Sequence, residues 1–313
     1  MDRFTIIVVL LLLACANPCS ASNSDAVSKV KASIESMRIK EHRPEIKITD
    51  EDLRRADPNQ LLAVLEPYAR DTVWVVRHTA AVYMVELATA HPTTRVRQEV
   101  VRWLIDLVYS GNGHNESPLL MGFTARDFDD KARNTIRQGL AKERVGVLTV
   151  QLCGVANIQE GLPRLATLLV DEMQYQAEAD KTGEKKWYLT TAWAARLARA
   201  RMGVKEDIAR CIELAEGEKN GADRVLRILP KIGYIRQPEA IEYLRKYLES
   251  SERLPPTNPG ARGEPYASRV VYILAESLQG FPVKPKLTRW YTDEEIEICR
   301  KWMTDKTNWK IIR

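Results

Sequence analysis

Residues 228–244 read ILPKIG-YIRQP-EAIEYL, and this stretch decides the fold. A run of apolar residues at helical spacing ends at Gly233, a short polar turn follows, and a second apolar helix begins after Pro238. The same phrase recurs around Gly154, where LCG is followed by VANIQE and then by GLPRL. A unit that repeats cannot bury its apolar face alone, so it stacks on copies of itself. The sequence therefore predicts an all-α fold built from stacked helix pairs.

Four glycines mark the ends of the repeating units: Gly154, Gly203, Gly233 and Gly280. Each follows apolar helical residues, where a left-handed C-cap favours glycine. The glycines are 49, 30 and 47 residues apart, and the step of 30 is close to the length of a minimal helix–turn–helix unit. The longer steps contain insertions at 174–186 and 250–266. The second insertion holds four prolines and two glycines, which excludes regular helix there.

A second pattern lies upstream, on the helix that we expect to open at Asp71. Val76 and Arg77 follow that residue by five and six positions, and Ala80 and Ala81 come next on the helix. This pattern resembles the second helix of a HEAT repeat. The resemblance implies that the Asp71 carboxylate caps the helix and that the Arg77 side chain reaches neighbouring turns.

The units after Val145 resemble the short HEAT-like repeats first noted in phycobilisome lyases, and the whole resemblance covers roughly residues 57–280. It implies an armadillo-type helical solenoid, a right-handed α-α superhelix of about 12 to 14 helices. Repeats of this type occur in many unrelated proteins, so no lyase activity carries over. Solenoids of this kind present an extended concave surface on which partners bind.

The chain divides into four predicted segments. A capped helix start at Thr292 follows a proline-rich break at 281–285, which is typical of a terminal cap on a repeat array. The segments are a signal peptide at 1–21, an N-terminal tether with capping helices at 22–56, the HEAT-like repeat solenoid at 57–280, and a C-terminal capping helix at 281–313.

The first 21 residues differ from everything after them. Arg3 precedes an uninterrupted, mostly apolar run at 4–14, and small residues follow. The run is about half the ~20 residues that a membrane span needs. It predicts a signal peptide that is removed on export, and no other stretch is apolar enough to predict a transmembrane span.

Two processing routes are open at the end of the predicted signal peptide. LLAC at 12–15 resembles a bacterial lipobox, in which Cys15 would become the lipidated first residue. Ordinary cleavage after small residues up to Ala21 is the alternative. We therefore expect an exported protein that is periplasmic, lipid-anchored to the envelope membrane, or secreted.

Composition excludes several classes of function. The net charge of +5 is spread over 47 basic and 42 acidic residues, without the concentrated basic stripe that nucleic acid usually requires. We therefore expect no nucleic-acid partner.

Three widely spaced cysteines remain in the body of the chain, and we expect Cys153, Cys211 and Cys299 to be buried small hydrophobes, with one chance disulfide as the alternative.

No catalytic constellation emerges from the sequence. The four histidines form no HExxH motif, and neither a phosphate loop nor a nucleophile elbow occurs. Asp127, Asp129 and Asp130 form a dense acidic cluster, which fits a helix N-terminus or a loop that binds a hard cation. We favour the helix N-terminus, and we predict no catalytic residue, no metal ligand, no cofactor and no enzymatic activity.

Aromatic residues are the better indication of binding. Tyrosine and tryptophan often anchor interfaces, and the alternative is that they fill gaps between repeats. The candidates for partner binding are Trp187, Tyr188, Tyr243 and Tyr247.

The leading functional hypothesis is an exported, non-catalytic repeat protein that acts as a scaffold for a protein or peptide partner in the cell envelope. One alternative is an enzyme or ligand-binding protein whose site is built from the insertion loops at 110–126 and 250–266, since long loops on a rigid scaffold often carry sites. A second alternative is a structural spacer in an envelope assembly.

Overall fold

The computed structural model describes residues 18–39, 48–111, 113, 116–169, 188, 190–256, 262–285 and 290–313, with the backbone alone for 18–24 and for residue 39. Within these residues the fold is all-α, as the periodicity predicts. The exceptions there are two short strands, β1 (Leu278–Gln279) and β2 (Lys310–Ile311), which pair antiparallel with Leu278 opposite Ile311. No helix in the described part is long and apolar enough to cross a membrane.

The chain forms two compact units, unit 1 (Met1–Ala132) and unit 2 (Arg133–Arg313). The boundary falls within a helix and inside the predicted repeat region 57–280, whose limits stay a prediction. In unit 1, α4 contacts α1, α2, α3 and α5 and is the centre of the packing. The elements are α1 (Pro18–Ile39), α2 (Asp50–Arg55), α3 (Pro58–Ala69), α4 (Trp74–Ala90), α5 (Thr94–Tyr109), 3₁₀ turns at Ser117–Gly122 and Ala125–Asp127, and the start of α6 (Asp130–Leu140).

Helix starts follow local capping chemistry. The Thr49 hydroxyl accepts from Asp52 N while the Asp52 carboxylate accepts from Thr49 N, a complete capping box. Asp57 caps α3 by accepting from Gln60 N, with Pro58 at the first helical position. The helix expected to open at Asp71 starts three residues later, because the Asp71 carboxylate accepts from Val73 N and shapes the turn before α4.

Unit 2 is a series of helix hairpins. Contacts run from α7 to α9, α12 and α14, and a second series joins α10, α13 and α15. The hairpins are thus packed side by side within this unit. The helices are α7 (Val147–Val155), α8 (Leu162–Thr167), α9 (Thr191–Arg201), α10 (Lys205–Gly217), α11 (Gly221–Asp223), α12 (Leu229–Ile235), α13 (Pro238–Leu248), α14 (Tyr266–Ser277) and α15 (Asp293–Thr304).

A π-turn at Arg224–Ile228 separates α11 from α12. Pro230 has no N–H and its ring crowds the carbonyl of Leu226. The helical turn before it therefore contains one extra residue, and the chain then continues as α-helix. Leu229 N accordingly donates to Arg224 O, five residues back. The π-turn divides one helix into fragments. The described residues therefore contain fifteen α-helices, whereas about 12 to 14 are expected.

The four anchor glycines do not have one shared role. Gly203 and Gly280 have positive φ (95° and 77°), as a left-handed C-cap requires. Gly154 and Gly233 lie inside helices, and the prediction of a left-handed cap there is wrong. Positive φ occurs three residues later in both cases, at Asn157 (52°) and at the residue after α12, Arg236 (51°).

Close helix contacts explain the two helical glycines. A Cβ on Gly154 would overlap the Tyr234 hydroxyl and come within 2.9 Å of Ala198 Cα on α9. A Cβ on Gly233 would overlap the side chain of Ile273 on α14. Gly154 therefore lets the backbone of α9 approach α7, and Gly233 makes room for the Ile273 side chain of the next hairpin.

Four hairpins share one spacing between a small residue and a left-handed residue. The left-handed positions 157, 203, 236 and 280 are 46, 33 and 44 residues apart. Three residues before each lies a small, buried residue, which is Gly154, Ala200, Gly233 or Ser277. The repeat is therefore defined by a pair, a small residue followed by a left-handed residue three positions later.

Buried arginines link the C-terminal ends of α9, α12 and α14, which follow one another in the first series of packed helices. Arg201, the last residue of α9, donates from Nη1 to Tyr234 O in the last turn of α12 at 2.6 Å. Arg236, after α12, donates from Nη2 to Glu276 O in the last turn of α14 at 3.3 Å. Helix C-termini carry orphan carbonyls and partial negative charge, which a buried guanidinium satisfies.

The three body cysteines, Cys153, Cys211 and Cys299, are buried thiols, as expected for small hydrophobes. Burial raises the pKa of Cys153 and of Cys299 to about 12 in each case. The thiolate is the reactive form, so these groups are chemically inert at neutral pH.

Candidate functional site

A cleft of about 590 Å³ opens on unit 2. It lies between α10, α13 and the last residues of the chain, and we call it the C-terminal cleft. Its size falls within the range of about 300–1,000 Å³ that is typical of ligand pockets. The lining residues are Ile212, Pro238, Glu239, Glu242, Tyr243, Lys246, Lys306, Trp309 and Ile311.

The middle of the cleft is held by an ion-pair network. Glu242 Oε1 accepts from Arg245 Nε at 3.1 Å and from Nη2 at 2.9 Å, while Oε2 pairs with Lys306 Nζ at 2.9 Å. The ammonium of Lys306 is the main cause that lowers the pKa of Glu242, burial opposes it, and Arg245 lowers the pKa further. This carboxylate is ionised; Lys306 balances its charge within the cleft lining, and Arg245 pairs with it from outside the lining.

Two lysines lie over aromatic rings at the cleft. Lys246 Nζ is 5.4 Å from the ring centroid of Tyr243, and Lys306 Nζ is 5.4 Å from that of Trp309. Both side chains remain about two-thirds exposed, at 64% and 67%. The rings thus orient the ammonium groups while their charges stay open to solvent.

The structure places the predicted aromatic residues differently from one another. Tyr243 lines the cleft with its ring buried, and its hydroxyl lies 3.1 Å from that of the half-buried Tyr247. Tyr188 is buried in the core of unit 2. Trp187 and Cys15 lie outside the described residues. An interface role for these tyrosines stays a prediction, and the buried rings of Tyr188 and Tyr243 also contribute to the core.

Sequence reasoning did not connect the C-terminal residues to α13. Lys306, Trp309 and Ile311 follow the last helix and were expected only to cap the array. They reach the cleft because β2 pairs with β1 and brings the chain end back across the hairpins. No local pattern indicates this, since the pairing joins residues more than 30 positions apart.

Unit 1 has a second cleft, of about 580 Å³. Asp71 lies at its edge, where it pairs with Arg38 and accepts from Val73 N in the turn before α4, while Arg77 Nη1 donates to the Asp71 carbonyl at 2.8 Å. The cap that the HEAT resemblance implies for Asp71 is not formed, since the N-cap of α4 is Val73 and has no side-chain hydrogen bond, whereas Arg77 reaches the preceding turn. The family assignment itself stays a prediction. The cleft is lined by Arg70, Asp71, Thr72, Arg77, Trp103, Asp106, Leu107 and Ser110.

The acidic cluster after the loop at 110–126 is structural. Asp127 is fully buried and accepts two hydrogen bonds from Arg97, both at 2.8 Å, and two from Thr124 at 2.8 and 2.9 Å. Burial acts to raise the pKa of Asp127, but the bonds from Arg97 and Thr124 outweigh it and lower the pKa. Asp129 accepts from Ala132 N at the start of α6 and pairs with Arg102, which is the helix N-terminal role.

A second buried acidic side chain in unit 1, Glu116, differs from Asp127 in its hydrogen bonds. The Glu116 side chain is 1% exposed, and neither of its oxygens accepts a hydrogen bond within the described structure. Its Oε1 lies 3.5 Å from His78 Nδ1 and 3.9 Å from Arg77 Nε. Buried charges normally have hydrogen-bond partners, so this residue breaks a rule that Asp127 obeys.

No protein-family model, no curated protein and no solved structure matches this chain. The described residues also contain no group of three or more His, Cys, Asp or Glu side chains placed to hold a metal ion. The geometry of the two clefts and of the hairpins is therefore what bears on function.

Proposed function

We propose that this protein is an exported helical-repeat protein that binds a protein or peptide partner in the cell envelope, without catalysis. The observation that carries the proposal is the C-terminal cleft. It combines apolar and aromatic walls with a few oriented charges, which is the composition of a recognition pocket. It also lies where consecutive hairpins and the chain end meet, on packed elements that hold it open.

A HEAT-like solenoid is the architecture we propose for the repeat region. Its support is the side-by-side packing of the hairpins in unit 2 and the pair of small and left-handed residues that recurs in four of them. A right-handed superhelix of such hairpins would extend the cleft into a longer binding surface.

Export is proposed from the apolar run at 4–14 and the small residues after it. Two mature forms are compatible with this, one lipidated at Cys15 and one cleaved near residue 21. The intact mass of the protein purified from its native host distinguishes them, because a lipidated Cys15 adds the mass of its acyl chains. A mature protein that retains Met1 would contradict export.

Site-specific photo-cross-linking tests the binding function. A photoreactive residue at Glu239, exposed at the cleft, is compared in living cells with one at Glu206, exposed on α10 away from the lining residues. We expect a discrete cross-linked species from position 239 and not from position 206. Equal labelling at both positions, or none at either, would contradict the proposal.

The ligand-binding alternative draws support from Glu116, which lies in the loop at 110–126. Departures from packing rules occur most often at functional or strained sites, and a buried side chain whose oxygens accept no hydrogen bond is such a departure. A fragment screen by ligand-observed NMR on the wild type and on Glu116→Gln tests it. The alternative requires hits that disappear in the variant, and hits that persist equally would remove its support.

A further inference from the structure

Charges along α13 are arranged in a gradient across the C-terminal cleft. Glu239 lies exposed in the first turn of the helix, and Lys246 lies in the last. Seven residues of helix separate them by about 10 Å along the axis. Between them lies Glu242, whose charge is balanced by that of Lys306, the cation that faces it within the cleft lining. The cleft therefore has an acidic end, a neutral centre and a basic end.

The basic end is available to an incoming group. Lys246 pairs with Glu216 at 3.5 Å, and the two side chains are 64% and 54% exposed. Exposed pairs of this kind are weak because water screens them. The ring of Tyr243 keeps the ammonium at the cleft, so a carboxylate that enters can replace Glu216 with little reorganisation.

The centre of the cleft is suited to an apolar side chain. Ile212, Pro238 and Ile311 come from three different elements and form its walls together with Tyr243 and Trp309. A peptide in the polyproline II conformation advances about 3.1 Å per residue with three residues per turn, so side chains three positions apart point the same way and lie about 9 Å apart, close to the ~10 Å between the charged ends. A basic and an acidic residue separated by two apolar residues match this spacing.

We propose that the C-terminal cleft binds an extended peptide segment of this kind, with its acidic residue at Lys246, its basic residue at Glu239 and its apolar residues on the walls between them. This inference rests on the proposed binding function and names the chemistry of the partner. It explains why charges of both signs line one apolar cleft.

Fluorescence anisotropy of short labelled peptides on the full chain tests the inference. The probes are blocked Lys-Leu-Leu-Glu and Glu-Leu-Leu-Lys, since a peptide can lie in either direction. The controls are Lys-Leu-Leu-Lys, Glu-Leu-Leu-Glu and Lys-Ser-Ser-Glu, each with the dye on a neutral linker. We expect at least one dipolar leucine peptide to bind roughly 5-fold tighter than every control, the effect of two exposed charge pairs plus apolar contact.

A charge reversal supplies the decisive comparison. In Lys246→Glu we expect the order to invert, so that Lys-Leu-Leu-Lys binds tighter than the dipolar peptides. Lys205→Glu is the matched control, because Lys205 is exposed on α10 and does not line the cleft. Both positions are at the surface, and circular dichroism checks that each variant keeps its helix content.

Several results would overturn the inference. Equal affinity for all five peptides, or a preference unchanged by Lys246→Glu, contradicts the charge gradient. Peptides that do not bind, together with a cross-link at position 239, contradict this peptide chemistry while the binding function stands. Failure of both experiments removes the proposed function as well.

Discussion

Unit 1 and unit 2 are both helical, but they differ in how the helices within each unit are positioned. Unit 2 repeats one backbone device, a small residue where helices touch and a left-handed residue three positions later, in four hairpins. Unit 1 gathers its helices around α4 and secures its irregular segment with buried charge, above all Arg97 with Asp127. Buried ion pairs occur in unit 2 as well, where Asp207 pairs with Arg196 and Arg199, so the repeated backbone geometry is what distinguishes unit 2.

Removing the cation that pairs with the buried Asp127 of unit 1 has the largest expected effect. Arg97→Met leaves the fully buried Asp127 carboxylate without its bidentate partner, and we expect a loss of about 3–5 kcal/mol in unit 1. Native-state hydrogen exchange of α5 amides measures it locally. Arg102→Met is the control, because the Arg102 side chain is 41% exposed and its pair with Asp129 is worth about 1 kcal/mol or less. Equal losses in the two variants would refute the distinction.

The same ion pair predicts how acid affects unit 1. The folded-state pKa of Asp127 is lowered, so its contribution to stability is fully present above the unfolded Asp pKa of about 3.9 and is lost as pH falls through the folded value. The stability difference between wild type and Asp127→Asn should therefore be constant near neutral pH and shrink below about pH 4. Urea unfolding at several pH values measures this difference, and a difference that grows in acid would show the sign to be wrong.

Unit 2 should respond instead to added volume at a helix contact. In Gly154→Ala the new methyl group meets the backbone of α9, and we expect a loss of about 1–3 kcal/mol despite the better helix propensity of alanine. Gly217→Ala is the matched control, since a Cβ there meets nothing within 4 Å. Hydrogen exchange in α7 and α9 reports the effect, and a stabilised Gly154→Ala would mean that these helices separate at no cost.

The left-handed positions of unit 2 should give the smallest effect. Gly203 has φ of 95°, and alanine at that angle costs about 1–2 kcal/mol from backbone strain alone. The cost is at the low end because a Cβ would have space, with its nearest neighbour 4.0 Å away. Thermal unfolding of Gly203→Ala against wild type measures it. An unchanged midpoint would indicate that the turn after α9 adopts a negative φ in solution.

Local signals in the sequence predicted the elements well. The capping residues Thr49, Asp57 and Thr292 start helices, the last as predicted above, because a cap depends only on residues three positions apart. The apolar stripes identified the helices, and the three body cysteines are buried. What the sequence could not predict were partners at a distance, such as Arg97 with Asp127, 30 residues apart, or Tyr234 with Gln151, 83 residues apart.

The sequence by itself determined that this chain is all-α and built from helix pairs, since helical periodicity and capping are properties of neighbouring residues. The tertiary structure decided what each glycine does. It made Gly154 and Gly233 contact points rather than caps, and it showed Ala200 and Ser277 to be their equivalents. It also brought Lys306 and Trp309 to α13 and so formed the C-terminal cleft. Such contacts depend on how the hairpins stack. Stacking brings together residues that are far apart in the sequence, and the spacing of residues along the chain does not indicate which of them meet.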